Sequence, residues 1–171
     1  MLIGAQGSGK STQAKLLAEY LKIPFISTGD MFRILAEGDS ELGQQVKNIL
    51  SEGKLVDDET TSKIVREQIS KPDFLRGFIL DGYPRNLEQV RLFDPKFDKV
   101  IYLNVPEEEL LKRLMARGRT DDTPEGIKTR LDLYYKVTEP LVNHYKDLGV
   151  LKEVDGRGSI EEVQQRIREN L

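Results

Sequence analysis

Gly4-Ala5-Gln6-Gly7-Ser8-Gly9-Lys10-Ser11-Thr12 is the stretch that decides the fold. It reads G-x-x-x-x-G-K-[ST]. Glycines let successive backbone N–H groups turn inward into one concavity, and an anion fits inside it. Lys10 adds a mobile cation for β- and γ-phosphates, and the hydroxyl of Ser11 or Thr12 can enter a Mg²⁺ shell. Such a loop needs a strand before it and a helix behind it. Apolar Met1-Leu2-Ile3 precedes it, and Ala14 to Leu21 carries helical spacing. That helix aims its positive N-terminus at the same phosphates. Only three residues precede Gly4, so the first strand is expected to be short or trimmed.

Working outward, the first helix is expected over about Lys10 to Lys22, then a short buried strand at Pro24-Phe25-Ile26-Ser27. A helix is expected from about Met31, and amphipathic helices over 41–52 and 58–70. Phe78-Ile79-Leu80 reads as a buried strand ending in Asp81, and Val100 to Val105 as another. Glu107 to Arg117 reads as a helix whose three leading acids complement its dipole. Residues 124–147 read as one long helix, 150–154 as the last strand and 159–170 as the last helix. Strands alternating with helices predict an α/β fold, a doubly wound parallel sheet of about five strands flanked by helices. Ligands then sit at the carboxyl ends of the strands, where the loop, Thr28 and Asp81 fall.

Composition narrows the possibilities. The 171 residues are 38% hydrophobic and 32% charged, with a net charge of −3. A single soluble domain is expected. No apolar run approaches a membrane span and no leader is visible, so a cytoplasmic protein is expected. The lack of a basic tail argues against nucleic acid as a partner. There is no cysteine and one histidine, His144, which leaves no cluster for zinc or for acid–base work. His144 is expected at the surface or in a capping role, and Tyr134 and Tyr135 in helix packing.

What remains for chemistry is cationic. Asp81, at a strand end near a phosphate loop, can bind Mg²⁺ directly or through its water. Asp81-Gly82-Tyr83-Pro84-Arg85 presents Arg85 from a rigid turn, and a guanidinium fork suits a phosphate. Arg113, Arg117, Arg119 and Arg130 follow, the first two on one helix face. Phosphoryl transfer needs several cations and little else. The polar stretch around Gly118 suggests a flap that excludes water.

These pieces resemble the adenylate kinase family of nucleoside monophosphate kinases. The matching segments are Gly4 to Thr12, Ser27-Thr28-Gly29-Asp30-Met31-Phe32-Arg33, Gly53-Lys54-Leu55-Val56, Asp81 to Arg85 with Gln89, and Arg119-Thr120-Asp121-Asp122 with Arg130. They recur in family order across the chain. The resemblance implies Mg-ATP + AMP ⇌ 2 ADP, with no covalent intermediate. It assigns the ATP phosphates to Gly7, Ser8, Gly9, Lys10, Ser11 and Thr12, together with Arg117. Arg113 is to lie over the ATP adenine, and Gly158 to offer backbone to its edge. AMP is assigned to Thr28, Arg33, the backbone of Lys54, Leu55 and Val56, to Gly82, Tyr83, Pro84 and Arg85, and to Gln89. Arg119 and Arg130 are to bridge donor and acceptor phosphates. An AMP-binding subdomain over 27–56 and a lid at about 116–122 are implied, in a monomer whose partners are ATP, AMP and ADP.

A glutamine amide both donates and accepts, so Gln89 can pair with adenine's amino group and a ring nitrogen. Thr28 and Gln89 favour AMP over UMP or CMP, although Asn86 resembles the pyrimidine-specific relatives. Gln6 stands where the family usually has Pro, and Ser11 where it usually has Gly. The stretch between Arg117 and Asp121 is shorter than the family's short lid and lacks the Cys-bearing zinc insertion. A GTPase-like switch would need Asn-Lys-x-Asp, and no Asn here precedes Lys. Small-metabolite kinases lack the Thr-Gly-Asp and Asp-Gly-Tyr-Pro-Arg set.

Overall fold

Strand β1 (Leu2–Ile3) is cut short by Gly4, where the chain leaves the sheet and enters the loop. The computed structural model describes residues 1–51, 56–117 and 123–171, the side chains of 50, 51 and 117 excepted. Helix α1 (Lys10–Leu21) follows the loop, then β2 (Phe25–Ser27), α2 (Thr28–Glu37), α3 (Glu41–Ser51) and α4 (Asp58–Ile69). A 3₁₀ turn (Pro72–Phe74) leads to β3 (Ile79–Asp81), α5 (Leu87–Leu92), β4 (Val100–Asn104) and α6 (Glu107–Arg117). The chain ends in α7 (Pro124–Leu133), a π turn (Tyr134–Thr138), α8 (Pro140–Asp147), β5 (Leu151–Asp155) and α9 (Ile160–Glu169).

All described strand pairs are parallel, β1-β4-β5 in one ladder and β2-β3 in another. The ladders abut where β3 lies beside β1, giving the spatial order β2-β3-β1-β4-β5. The chain reverses its winding direction at β1, so the crevice opens at its carboxyl end. Alternation along the strands supplies both faces of the core. Leu2, Ile101 and Leu103 pack on Ala14, Leu17 and Ala18 of α1 and Val163 and Ile167 of α9. Met1, Ile3 and Val100 face the other way, toward Leu110, Leu114, Ile127, Leu131, Leu141 and Tyr145. Val46, Val56 and Ile64 form a separate cluster under α2. Among the described residues no helix is long and apolar enough to cross a membrane.

Two expectations are corrected. Residues 124–147 are not one α-helix but α7, a π turn and α8. Pro140 has no N–H to return to Lys136, and its ring would crowd that carbonyl. The Glu139 N–H instead reaches back five residues to the Tyr134 carbonyl at 3.0 Å, the widened turn that absorbs the defect. Helix α2 begins at Thr28, not at Met31, because the Ser27 hydroxyl accepts from the Asp30 N–H and caps it. His144, expected at the surface or in a capping role, is half-buried in the last turn of α8. Its Nε2 has no hydrogen-bond partner among the described residues, and its ring meets Tyr145 edge-on at 5.0 Å.

Candidate active site

Helices α2, α4, α5, α7 and α9 each begin under a side-chain cap, from Ser27, Asp57, Asn86, Thr123 and Ser159. Helix α1 does not. Its N-cap is Gly9, at φ 88°, and its first turn carries no acid. The opening N–H groups of α1 are therefore left without a side-chain acceptor, beside a positive helix end. Gly7, at φ 85°, completes the curve, and a Cβ there would lie 2.9 Å from Leu114 Cγ. The Ser8 N–H closes the turn on the Ala5 carbonyl at 3.1 Å, and the Lys10 ammonium lies back over the same carbonyl at 3.4 Å.

The loop is tied to the neighbouring strand. Ser11 Oγ donates to Asp81 Oδ2 at 2.5 Å, and Asp81 is buried, 6% exposed. Asp81 Oδ1 is equally buried and has no hydrogen-bond partner among the described residues. Register sets Ser27 of β2 against Asp81 of β3, so Thr28 and Gly82 emerge side by side. The Thr28 hydroxyl donates to the Asp81 carbonyl at 3.5 Å. Gly82 has φ 87°, and a Cβ there would collide with Thr28 Oγ1. The Tyr83–Pro84 peptide is cis, and Arg85 Nε donates back to the Gly82 carbonyl at 3.0 Å.

These pieces surround one cleft of about 700 Å³. Of the residues expected in the site, Gly7, Gly9, Lys10, Ser11, Thr12, Thr28, Arg33, Asp81, Gly82, Pro84, Arg85 and Arg113 line it. Five described cations, Lys10, Lys15, Arg33, Arg85 and Arg113, face two carboxylates, Asp30 and Asp81. The balance favours a polyanion. Arg33 pairs with Asp30, and Arg113 Nε pairs with Glu109 at 2.8 Å. Arg113 Nη2 also donates to the Gly156 carbonyl at 3.0 Å, which joins α6 to the loop carrying Gly158. That loop is pinned by Arg166, whose Nη1 donates to the Asp155 carbonyl at 2.9 Å. The Arg157 guanidinium beside Asp155 holds its carboxyl down at about 2.

Other expected residues stand outside the cleft lining. Ser8 is buried in the loop, and Val56 lies in the cluster with Val46 and Ile64. The Tyr83 ring is fully buried; its hydroxyl lies 2.9 Å from Ser62 Oγ and from the Gln89 carbonyl, and 2.7 Å from that of Phe93. Burial pushes the pKa of that phenol above its usual range. Gln89 is buried beneath the turn, Gly158 sits at φ 101° on its loop, and Arg130 Nε donates to the Gly126 carbonyl at 3.1 Å. Lys54, Leu55, Arg119 and the Arg117 side chain lie outside the described residues, as does nearly all of the expected lid.

Sequence reading missed three features. Gln6, Lys15 and Ser27 also line the cleft, as do Tyr134 and Thr138. The Ser11–Asp81 bond joins residues 70 apart, and no local spacing signals it. Asp58 holds the Gln89 amide at 2.7 Å, yet an acid in a helix first turn reads only as a dipole complement.

A family model described as Adenylate kinase matches residues 2–150. The whole chain is 41% identical to an adenylate kinase of Prochlorococcus marinus and covers 97% of it. It is 42% identical to an adenylate kinase of a Nocardioides species, again over the whole chain and 95% of the relative. With an adenylate kinase of Thermobifida fusca the identity is 44%, over 97% of this chain and 94% of the other.

Proposed function

The chain belongs to the adenylate kinase family, and from that premise we propose how its residues divide the transfer of a phosphoryl group from ATP to AMP. The reaction gives two ADP. An AMP phosphate oxygen attacks the γ-phosphorus in line, and the bond to the β–γ bridging oxygen breaks as the new one forms. The observation that carries this reading is the cleft itself. A capless helix start opens onto it from one side, and Thr28, Gly82 and Arg85 open onto it from the other.

Gly7 to Thr12 hold the ATP phosphates, and Lys10 follows the charge that develops on the bridging oxygen. Arg113 and the backbone of Gly158 flank the ATP adenine, on the strength of their link through Gly156. Thr28, Arg33, Lys54 to Val56, Gly82 to Arg85 and Gln89 form the AMP half. Arg117, Arg119 and Arg130 close over the gap when the 116–122 lid shuts, which excludes water. Ser11 and the buried Asp81, whose Oδ1 has no partner among the described residues, suit a hard cation that takes oxygen ligands. Ser11, Thr12 and Asp81 would hold Mg²⁺, which when bound neutralises the β- and γ-phosphates. The protein works as a cytoplasmic monomer on ATP, AMP and ADP, with neither nucleic acid nor membrane as a partner. It is one kinase domain with an AMP-binding segment at 27–56.

ADP formation from ATP with AMP, UMP, CMP and GMP in parallel tests the substrate. AMP is expected to dominate by a wide margin, and a preference for UMP or CMP would reverse the assignment. Gln89→Ala is expected to raise the apparent KM for AMP about tenfold, the worth of one hydrogen bond. The KM for ATP should hardly move. Equal losses for both nucleotides would remove Gln89 from the AMP half.

A further inference from the structure

The Gln89 amide is held at both ends. The Arg85 main-chain N–H donates to its Oε1 at 2.7 Å, and its Nε2 donates to Asp58 Oδ1 at 2.7 Å. A main-chain N–H only donates, and a carboxylate only accepts. Turning the amide over would set donor against donor at Arg85 and acceptor against acceptor at Asp58. Gln89 is 4% exposed, so solvent could not relieve that conflict.

Asp58 is itself fixed. Asn86 Nδ2 donates to its Oδ1 at 3.1 Å and to its Oδ2 at 2.9 Å. Asn86 cannot turn over either, because its Oδ1 accepts the Gln89 N–H at 2.7 Å and caps α5. The capping work on α4 belongs to the preceding residue: Asp57 Oδ1 accepts the Thr60 N–H at 2.8 Å. Asp58 is thus spare as a cap and committed to two amides.

We propose that Asp58 is a specificity-determining positioning residue, which locks the polarity of the Gln89 amide and so selects the base edge that amide can read. This rests on the assignment of Gln89 to the base of AMP. An amide has two N–H groups and two acceptor sites, and Asp58 and Arg85 occupy one of each. The remaining N–H and the remaining acceptor site stand in a fixed order. Adenine offers an amino donor at position 6 beside a bare N1 acceptor. Hypoxanthine offers the reverse, a 6-oxo acceptor beside an N1–H. A locked amide pairs with the first and meets the second donor to donor and acceptor to acceptor. A free amide would serve both.

The test compares AMP with inosine monophosphate as acceptors, with ATP as donor, in the wild type, Asp58→Asn, Asp58→Ala, Asp58→Glu and Gln89→Ala. The ratio of the two kcat/KM values is the readout. It should fall about tenfold in Asp58→Asn and Asp58→Ala, the scale of one hydrogen bond turned from match to mismatch. Asp58→Glu, which keeps an acceptor-only carboxylate, should retain most of the wild-type ratio. The KM for ATP should stay put in all three. A helix-dipole role for Asp58 would change thermal unfolding but leave the ratio alone. An unchanged ratio in both Asn and Ala variants, with a lowered ratio in Gln89→Ala, overturns the lock and leaves the Gln89 assignment standing. An unchanged ratio in Gln89→Ala overturns both. Thermal unfolding is measured beside each assay, and the Asn and Ala variants test the lock independently should one of them fail to fold.

Discussion

Lys10→Ala is expected to lower kcat about a thousandfold, with the fold intact. Lys10 is the first residue of α1, and its ammonium reaches back over the loop to the Ala5 carbonyl. It is half-exposed and holds no part of the core, so its loss should scarcely move the melting temperature. On the proposed reading the phosphates it would face gain charge on the bridging oxygen as the bond from γ-phosphorus to that oxygen breaks. A cation placed there binds the transition state better than the ground state, and that difference appears in kcat rather than KM. Backbone N–H groups of the loop would remain and keep ATP bound. Steady-state kinetics with saturating ATP and AMP, beside a thermal melt, separates the outcomes. A rate within tenfold of the wild type would remove Lys10 from the chemistry.

The part of the site that could be read from sequence is the part held together by local spacing. Gly4 to Thr12 is one turn and one helix start, so the residue types and their intervals carry the geometry themselves. Asp81 and Thr28 were legible as strand ends, because apolar runs stop just before them. Contacts across the sheet were not legible. Ser11 meets Asp81 only because α1 packs beside β3, which depends on the sheet order. Asp58 meets Gln89 only because α4 packs on α5, and α5 is six residues long, too short to show a helical period. The π turn at Tyr134–Thr138 had one local sign, Pro140, but a proline inside a helical pattern can kink, end or widen the helix. Of the two arginines expected to bridge the phosphates, Arg119 lies outside the described residues and Arg130 within them, and the assignment of both rests on family position.

Asp81→Asn is expected to separate activity from stability. The carboxylate is buried with one hydrogen bond, from Ser11, and its other oxygen has no partner among the described residues. Burying charge with so little compensation costs folding free energy, about 1–3 kcal/mol for each unmatched polar atom. Asparagine has nearly the same shape, keeps an acceptor for the Ser11 hydroxyl and carries no charge. If Asp81 served only to finish β3, the substitution would be harmless or stabilising, and the enzyme would keep its rate. Strand finishing is handled elsewhere, since the Thr28 hydroxyl bonds the Asp81 main-chain carbonyl rather than its side chain. On the proposed reading the carboxylate is there for its charge, since phosphate-bound Mg²⁺ would need an anionic oxygen. We expect kcat to fall about a hundredfold or more, the Mg²⁺ concentration for half-maximal rate to rise, and the melting temperature to hold or increase. Activity and melting temperature falling together, with the Mg²⁺ dependence unchanged, would show the carboxylate to be structural. Sites that carry function in strained or unpaired groups commonly give up stability for it, and Asp81 is where this chain should show that exchange most clearly.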